Sequence, residues 1–130
     1  KGSIGIQDGQ LAIKKFLNKC SVEDQAVHIV DGSGLSRKNL LSPRALLQVL
    51  EYMHKSPHYT HFLESLPSLA SFPGIKAKTG FMSGVKCYAG YKGPYSFVLF
   101  MNNITDKKEA QNFAETFFHF LTSLSLESKK

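Results

Sequence analysis

The sequence predicts an α+β fold, a small antiparallel sheet with helices packed on it. Between Ile75 and Met101 apolar and polar residues alternate with a period of two, which is typical of strands. Before and after this segment, apolar residues recur at helical spacing. A sheet with one apolar face needs a covering layer, and the helix predicted after Met101 offers an apolar stripe. We therefore expect a three-stranded meander covered by a C-terminal helix and preceded by further helices.

The first part of the chain contains one predicted helix and one short predicted strand. Asp8 can cap a helix over about residues 9–19, where apolar residues recur every three or four positions. Residues 26–30 are typical of a strand. Residues 31–34, with the sequence DGSG, predict a tight turn, because Asp and Ser bond to nearby backbone and glycine tolerates a positive φ.

Prolines mark the next two helices. Ser42 followed by Pro43 predicts a helix start, because proline suits the first helical position. The helix that follows has one apolar face, formed by Leu46, Val49, Leu50 and Met53. Pro57 opens a second, shorter helix that ends near Leu66, where Pro67 stops it.

Three antiparallel strands are predicted at residues 75–79, 85–91 and 95–101. Residues 92–94 supply a glycine and a proline for a turn, so the second and third strands form a hairpin. A meander of three strands leaves two unpaired edges, which proteins usually cover. We therefore expect an element preceding Lys1 to complete the sheet.

Thr105 and Asp106 are predicted to cap a long C-terminal helix, since their side chains accept hydrogen bonds from free N–H groups at a helix start. The apolar residues of this helix recur at helical spacing and predict one buried stripe against the sheet. The stripe consists of Phe113, Phe117, Phe120, Leu121 and Leu124. We interpret it as core and not as a cofactor site.

The length, composition and net charge of the chain exclude some classes of function. A chain of 130 residues with 42% apolar residues is one globular domain or less. The net charge of +6 comes from scattered basic pairs between acids, not from one basic stripe with interleaved aromatics, so we expect no nucleic-acid partner. The longest apolar run, residues 97–101, is far too short to span a membrane.

Cysteine and histidine predict no metal or cofactor site. Cys20 and Cys87 allow at most one disulfide, and we expect two buried thiols. Three histidines lie close together in the sequence, but a proline interrupts their helical register and no Cys or carboxylate is placed to complete a tetrahedral zinc site. They are His54, His58 and His61. We interpret them as surface residues and expect neither metal nor cofactor.

The segment Lys78-Thr79-Gly80 carries the most informative chemistry. A peptide's terminal carboxylate needs a cation and hydroxyl donors in fixed geometry, and such charge-assisted hydrogen bonds are strong. Lys78 supplies the charge, Thr79 a hydroxyl on a stiff β-branched side chain, and Gly80 the space for a substrate backbone to approach. The edge of the strand can also pair with an extended peptide through main-chain hydrogen bonds.

The order of motifs resembles a known family. Residues 31–43 are DGSGLSRKNLLSP, and SLP at 65–67, AKTG at 77–80 and AGY at 89–91 follow. This order is similar to that of the class C low-molecular-mass penicillin-binding proteins, the D-alanyl-D-alanine carboxypeptidase/endopeptidase family of the DacB type. The resemblance covers nearly the whole chain. It implies that residues 1–130 are the C-terminal part of a penicillin-binding/β-lactamase-like domain.

The resemblance assigns roles to residues on the predicted strand. Lys78 and Thr79 would bind the carboxylate of an acyl-D-alanine substrate and polarise the site. Gly80, which has no side chain, would leave the floor of the site free for the substrate. The backbone N–H of Phe81 would be one donor of the oxyanion hole, the other donor coming from the N–H of the nucleophile itself.

Further residues would form the pocket for the peptidoglycan stem peptide. Leu35, Ser36 and Arg37 would help line the pocket for the side chain of a stem residue. A guanidinium suits a carboxylate on that side chain, because its planar fork binds both oxygens. We also expect Met82 and Ser83, which follow the Lys-Thr-Gly motif, to bind the substrate.

Two motifs of such enzymes do not occur in the chain. The family takes its nucleophile and base from Ser-x-x-Lys and places a Ser-x-Asn in the cleft. The only Ser-x-x-Lys spacing is Ser83 to Lys86, on a predicted strand where positions three apart point to opposite faces, so we reject it. No Ser-x-Asn occurs. We therefore expect that the nucleophile-bearing N-terminal part is missing and that the 130 residues alone are inactive.

Two further departures favour an alternative function. Position 81 is usually Thr or Ser in the family, and the segment between Pro67 and Lys78 is shorter than usual. The alternative is a catalytically silent domain of the same fold that binds peptidoglycan peptides or acts as a scaffold. A β-lactamase or esterase relative is a third possibility, which the signature at residues 31–37 disfavours.

The resemblance also implies partners and a location. The complete domain would act on peptidoglycan stem peptides and bind β-lactams, and this chain would pack with the missing N-terminal part. The family implies a periplasmic or cell-envelope location. No cofactor is implied.

Overall fold

Helix α1 of the computed structural model, Ile6–Lys19, begins before the predicted cap at Asp8. Gly5 is the N-cap, and the Asp8 carboxylate accepts a hydrogen bond from the Gly5 N–H at 2.9 Å. The prediction of Asp8 as the cap was therefore wrong. An acidic side chain inside the first turn bonds back to the cap residue, so it marks a helix that has already begun.

The structure describes residues 5–124, which divide into two units after His54. Besides α1, the first unit contains a 3-10 turn at Asp24–Ala26 and two antiparallel strands of two residues each, β1 (Val27–His28) and β2 (Leu40–Leu41). Strand β1 is shorter than the predicted strand at residues 26–30, and β2 was not predicted. Two adjacent leucines give no alternating pattern by which a strand of this length could be recognised.

Helix α2, Pro43–His54, completes the first unit and begins where the sequence predicts. The Ser42 hydroxyl accepts a hydrogen bond from the Ala45 N–H at 3.1 Å, which caps the helix. The core of this unit contains Cys20, Val22 and Ala45. Helix α1 has no buried residue of its own, so its predicted apolar face is only partly covered within the described residues.

The second unit has the predicted meander and confirms the α+β fold class. Its sheet has the order β3-β4-β5, with all neighbours antiparallel. The strands are β3 (Ile75–Met82), β4 (Val85–Lys92) and β5 (Tyr95–Met101). Helix α3, Tyr59–Ser65, precedes the sheet and α4, Lys107–Ser123, follows it. The Asp106 carboxylate caps α4 by accepting from the N–H groups of Lys108 and Glu109.

Helix α4 covers one face of the sheet, but not with the whole predicted stripe. Leu121 of that stripe is buried in the core, and so is Phe118, which the predicted stripe did not include. The Phe118 ring packs edge-on against Tyr88 with 5.0 Å between ring centroids. Phe113 and Phe120 remain 58% and 57% exposed. The stripe prediction was wrong for these two residues, because the face of α4 that packs on the sheet is formed by Ala114, Phe118 and Leu121.

The two cysteines differ from the prediction at one position. Cys20 is buried as expected, and burial raises the pKa of its thiol. Cys87 is only half-buried, because it lies on the face of β4 away from α4. Both thiols are free. Among residues 5–124, no helix combines the length and the apolar character that crossing a bilayer requires.

Candidate substrate-binding strand

The outer edge of β3 is partly occupied by the segment that precedes it. The N–H of Ala77 donates to the carbonyl oxygen of Pro67 at 2.9 Å, and the N–H of Leu69 donates to the carbonyl oxygen of Ile75 at 3.0 Å. These bonds lie on the side of β3 away from β4. In an antiparallel ladder the N–H and C=O of successive residues point alternately to one neighbour and to the other. The backbone groups of Ile75 and Ala77 therefore point outward.

The same alternation fixes the direction of the backbone groups further along β3. The register between β3 and β4 runs without a break from Ile75 to Met82. Thr79 and Phe81, two and four positions after Ala77, therefore also direct their N–H and C=O groups outward. Within residues 5–124, no strand pairs with this side of β3. The edge is thus occupied up to Ala77 and open from Thr79 onward.

The ammonium group of Lys78 lies at this open edge. Ala77 is buried in the core against α4, and successive strand residues point to opposite faces, so Lys78 lies on the face away from that helix. The side chain is exposed, and its Nζ donates to the outward-pointing carbonyl oxygen of Thr79 at 2.7 Å. The positive charge and the open backbone groups therefore occupy the same edge.

The other predicted site residues of this segment follow Lys78 along β3 and into the turn after it. Thr79 and Phe81 point to the α4 side of the sheet, and the Phe81 side chain is 70% exposed. Met82 ends β3 half-buried, and Ser83 lies in the turn that follows. The strand therefore brings Lys78 to Met82 together in one extended segment that reaches to Ser83.

Two glycines of the sheet, Gly80 on β3 and Gly90 on β4, differ in whether the fold requires them. A Cβ built on Gly80 would have as its nearest neighbour the Cβ of Cys87 at 3.7 Å, an ordinary contact. A Cβ built on Gly90 would stand 1.9 Å from the carbonyl oxygen of Lys76, which no side chain can tolerate. Gly90 is therefore needed for the close approach of β3 and β4. The protein's own packing does not require a glycine at position 80.

The charge around the sheet was missed by the prediction. No Asp or Glu occurs between Glu64 and Asp106, whereas that segment contains four lysines: Lys76, Lys78, Lys86 and Lys92. Lys76 donates to carbonyl oxygens at the end of α3, those of Leu63 at 3.3 Å and Leu66 at 3.4 Å. Counting acids by segment would have revealed this imbalance. A sheet with this composition attracts anionic groups.

Lys86, the lysine of the rejected Ser83–Lys86 pair, contacts side chains of α4 and β4. Lys86 donates to the side chain of Gln111 at 2.8 Å, and its ammonium lies 5.5 Å from the centre of the Tyr88 ring. His54 ends α2, and His61 lies 3.7 Å from the carboxylate of Glu64.

Leu35, Ser36 and Arg37 belong to the first unit and lie in the loop between β1 and β2. Leu35 is 77% exposed, Arg37 is exposed and Ser36 is half-buried. Gly34 has φ of 76°, so the predicted turn needs a glycine there. The residues predicted for the stem pocket are therefore presented by a single loop.

Comparison with known proteins confirms the family expected from the sequence. Residues 1–124 match the D-Ala-D-Ala carboxypeptidase 3 (S13) family. The D-alanyl-D-alanine carboxypeptidase DacB of Haemophilus influenzae is 33% identical over 138 aligned positions, which cover 99% of this chain. The chain spans 28% of the length of that relative. Because the family match covers nearly all of the chain, we conclude that this protein belongs to the D-Ala-D-Ala carboxypeptidase 3 (S13) family.

Proposed function

We propose that this chain forms the substrate-binding strand of a serine-type D-Ala-D-Ala carboxypeptidase that acts on peptidoglycan stem peptides. The observation that carries the proposal is the position of the Lys78 ammonium at the open edge of β3, 2.7 Å from the outward-pointing carbonyl oxygen of Thr79. An extended peptide that ends in a carboxylate requires both features: a strand edge for its backbone and a cation for its terminus.

The residues of β3 would each bind or accommodate a different part of the substrate. Lys78 and the Thr79 hydroxyl bind the terminal carboxylate of the acyl-D-alanyl-D-alanine tail. Gly80 leaves the space above the strand free for the substrate backbone. The outward N–H of Phe81 donates to the carbonyl oxygen of the scissile bond and stabilises the negative charge that develops there.

The bond-making groups of the proposed reaction come from elsewhere in the complete domain. A serine hydroxyl from a Ser-x-x-Lys motif attacks the carbonyl carbon of the penultimate D-alanine, and the lysine of that motif accepts its proton. The terminal D-alanine leaves as an amine after it is protonated. Water then hydrolyses the ester and restores the serine. Neither Ser-x-x-Lys on a helix nor Ser-x-Asn occurs within these 130 residues, so we propose that they form the C-terminal part of the domain.

The proposal is tested by acylation with a labelled penicillin, followed by intact mass. We expect one adduct per molecule for the complete gene product and none for the 130-residue chain alone. Lys78→Gln in the complete gene product should lower the second-order acylation rate constant about 10- to 100-fold, because a hydrogen bond between charged groups is lost.

Lys55→Gln is the matched control, since Lys55 is also exposed and lies outside the strand. It should leave the rate unchanged. An adduct on the 130-residue chain alone would overturn the assignment of the nucleophile to another segment. Equal acylation of the Lys78→Gln variant and the parent protein would remove Lys78 from the site.

A second function is favoured by Phe81. Its exposed ring stands where the family usually has a hydroxyl that assists carboxylate binding, and a domain that binds stem peptides without cleaving them would not need that hydroxyl. In that case the complete gene product would bind a D-Ala-D-Ala peptide but release no D-alanine. Assay of free D-alanine distinguishes the two functions.

The proposed substrate sets the location of the protein. Peptidoglycan stem peptides belong to the cell envelope, so the complete protein would work there, in the periplasm of a bacterium with an outer membrane. The acid-free sheet would also favour contact with anionic cell-wall material, an attraction that weakens with salt.

A further inference from the structure

A cavity in the second unit lies between the β3–β4 turn and the first turns of α4. Its volume is about 430 Å³. Phe81 forms part of its wall, together with Val85, Ile104 and Ala110. The N–H of Ile104 donates to the carbonyl oxygen of Gly84 at 2.9 Å, which ties the turn to the segment before α4. The cavity therefore has an apolar wall and lies directly beside the substrate-binding strand.

Two lysines give this cavity a positive charge. Lys86 is half-buried on β4, directly opposite Phe81, and its Nζ donates to the side-chain oxygen of Gln111 at 2.8 Å. Lys107, the first residue of α4, is exposed and also lines the cavity. Within residues 5–124 neither lysine forms an ion pair, and no acidic residue lines the cavity. The cavity therefore carries two positive charges that no described carboxylate pairs with.

Two acids near the cavity have partners of their own. The Asp106 carboxylate accepts from the N–H groups of Lys108 and Glu109 and so caps α4. The Glu115 carboxylate accepts from the Nε2 of Gln111 at 2.9 Å, and the same amide accepts from the lysine on β4. Because Asp106 already bonds to N–H groups of the first turn, the positive charge offered to a ligand comes from the two lysines and not from the helix end.

A substrate bound at the edge of β3 would run past this cavity. With its terminal carboxylate at Lys78 and Thr79 and its scissile carbonyl at the N–H of Phe81, the peptide is antiparallel to β3. The part that precedes the scissile bond then continues past Met82 toward Ser83. Phe81 and Ser83 both line the cavity. The residue two positions before the penultimate D-alanine comes level with Ser83, beside the cavity.

We propose that this cavity binds an acidic residue of the stem peptide, located two positions before the penultimate D-alanine. This inference rests on the proposed function. The two ammonium groups bind the carboxylate, and the apolar wall covers the methylene groups that carry it, so a glutamate-like residue suits both. The Phe81 ring is 70% exposed in the free protein, and covering it adds to the binding.

The first experiment measures the release of D-alanine from two peptides by the complete gene product. Both end in D-Ala-D-Ala, and they differ only two positions before the penultimate D-alanine, where one has glutamate and the other glutamine. We expect a lower KM for the glutamate peptide. Lys86→Gln should raise that KM about tenfold, because a half-buried charged hydrogen bond is lost, and Lys107→Gln about threefold, because its ammonium is exposed. Neither variant should change kcat or the KM for the glutamine peptide.

Lys108→Gln is the matched control. Lys108 is exposed and follows Lys107 on α4, but it does not line the cavity. The control removes the same charge from the same turn of the helix and should leave both KM values unchanged. An equal rise in KM for Lys108→Gln and Lys107→Gln would show that the charge of the helix start is responsible and not the cavity. If Lys86→Gln does not fold, this comparison at two exposed positions still decides.

The outcomes for the cavity and for the proposed function are distinguishable. If the parent protein releases no D-alanine from either peptide, the carboxypeptidase proposal fails, and calorimetric titration with the same peptides tests the cavity through their Kd values. An active parent protein with the same KM for both peptides overturns the cavity assignment alone. A rise in KM that is equal for both peptides in the two lysine variants also overturns it, because recognition of a carboxylate cannot affect the neutral peptide.

Discussion

The N–H of Phe81 points to the same side of β3 as the N–H of Ala77. The N–H of Ala77 bonds to the carbonyl oxygen of Pro67 at 2.9 Å, so this direction is away from β4. Because the two residues are an even number of positions apart in an unbroken register, the Phe81 N–H is available to a ligand at the open edge. A backbone donor can therefore be removed from this edge without removing a hydrogen bond from the sheet.

Phe81→Pro should abolish the proposed oxyanion donor while leaving the fold intact. Proline has no N–H, and it is tolerated on an edge strand where that N–H points outward. We expect the acylation rate of the complete gene product by a labelled penicillin to fall about 100- to 1,000-fold, as when one oxyanion donor is removed from other enzymes. The far-ultraviolet circular dichroism and the thermal midpoint should change little.

Met82→Pro is the control for that experiment. Met82 lies opposite Val85, and its N–H points toward β4, opposite to that of Phe81. The N–H of Met82 therefore belongs to the β3–β4 ladder. Proline there should lower the thermal midpoint clearly. Should Phe81→Pro destabilise the protein as much as Met82→Pro, the direction assigned to the Phe81 N–H would be wrong.

Gly90→Ala and Gly80→Ala should separate stability from binding. At Gly90 the added methyl group meets the Lys76 backbone, which cannot move aside without parting the strands, so we expect a loss of about 3 kcal/mol in the free energy of unfolding. At Gly80 the nearest atom is 3.7 Å away, and stability should change by no more than about 0.5 kcal/mol.

Urea unfolding measures both stability changes in the glycine pair. The acylation assay should show the converse for Gly80→Ala, a lower rate in a stable protein, because the methyl group occupies the face where the substrate backbone approaches. A Gly80→Ala variant with full acylation would contradict the role proposed for this glycine.

Replacing phenylalanines of α4 by alanine should give unequal losses of stability. Phe118→Ala removes a side chain that is 3% exposed and packs against four other aromatic rings, so we expect a loss of about 3–5 kcal/mol. Phe120→Ala should cost less than about 1 kcal/mol, because that ring is 57% exposed. Chemical unfolding monitored by tyrosine fluorescence measures both. A larger loss for Phe120→Ala than for Phe118→Ala would mean that the buried face of α4 is the one predicted from the sequence.

Asp31 should make the order of its loop depend on pH. Hydrogen bonds from the side chains of Asn39 and Ser33 hold the pKa of the Asp31 carboxyl below its ordinary value of 3.8. Since the folded-state pKa is lowered, the stabilisation is fully present above about pH 3.8 and is lost as the pH falls through the folded-state pKa. NMR titration of the Asp31 carboxyl carbon measures this pKa directly.

The Asn39→Leu variant provides the comparison for the titration. It removes the largest cause of the shift, so the titration midpoint should move up toward 3.8. A midpoint at or above 3.8 in the parent protein would show that the hydrogen bonds to Asp31 are not formed in solution.

Local patterns predicted the elements whose causes are local. Serine and proline at 42 and 43 predicted the start of α2, because capping and a fixed φ act within one turn. Asp106 predicted the start of α4 for the same reason. The alternation between Ile75 and Met101 predicted the meander, since its period is a property of single strands. The helix start predicted from Asp8 was wrong, because an acidic side chain is favourable both at the N-cap and in the first turn of a helix.

The buried side of α4 was decided by tertiary packing. Five apolar residues between Phe113 and Leu124 predicted a broad stripe, but α4 packs on the sheet along a narrower line. That line runs through Ala114, Phe118 and Leu121, which are all buried in the core. Phe113 and Phe120 are exposed as a result, although their spacing is that of a buried face.

By itself the sequence determined the fold class, the motif that carries the charge and the family, because these depend on residue types in order along the chain. Tertiary structure alone decided which edge of β3 is open and how the loop at residues 31–39 is held. The first depends on Pro67 and Leu69 reaching the backbone of β3, and the second on Asn39 reaching Asp31. Contacts between distant backbone groups and side chains leave no periodic trace in a sequence, so no local pattern could have predicted them.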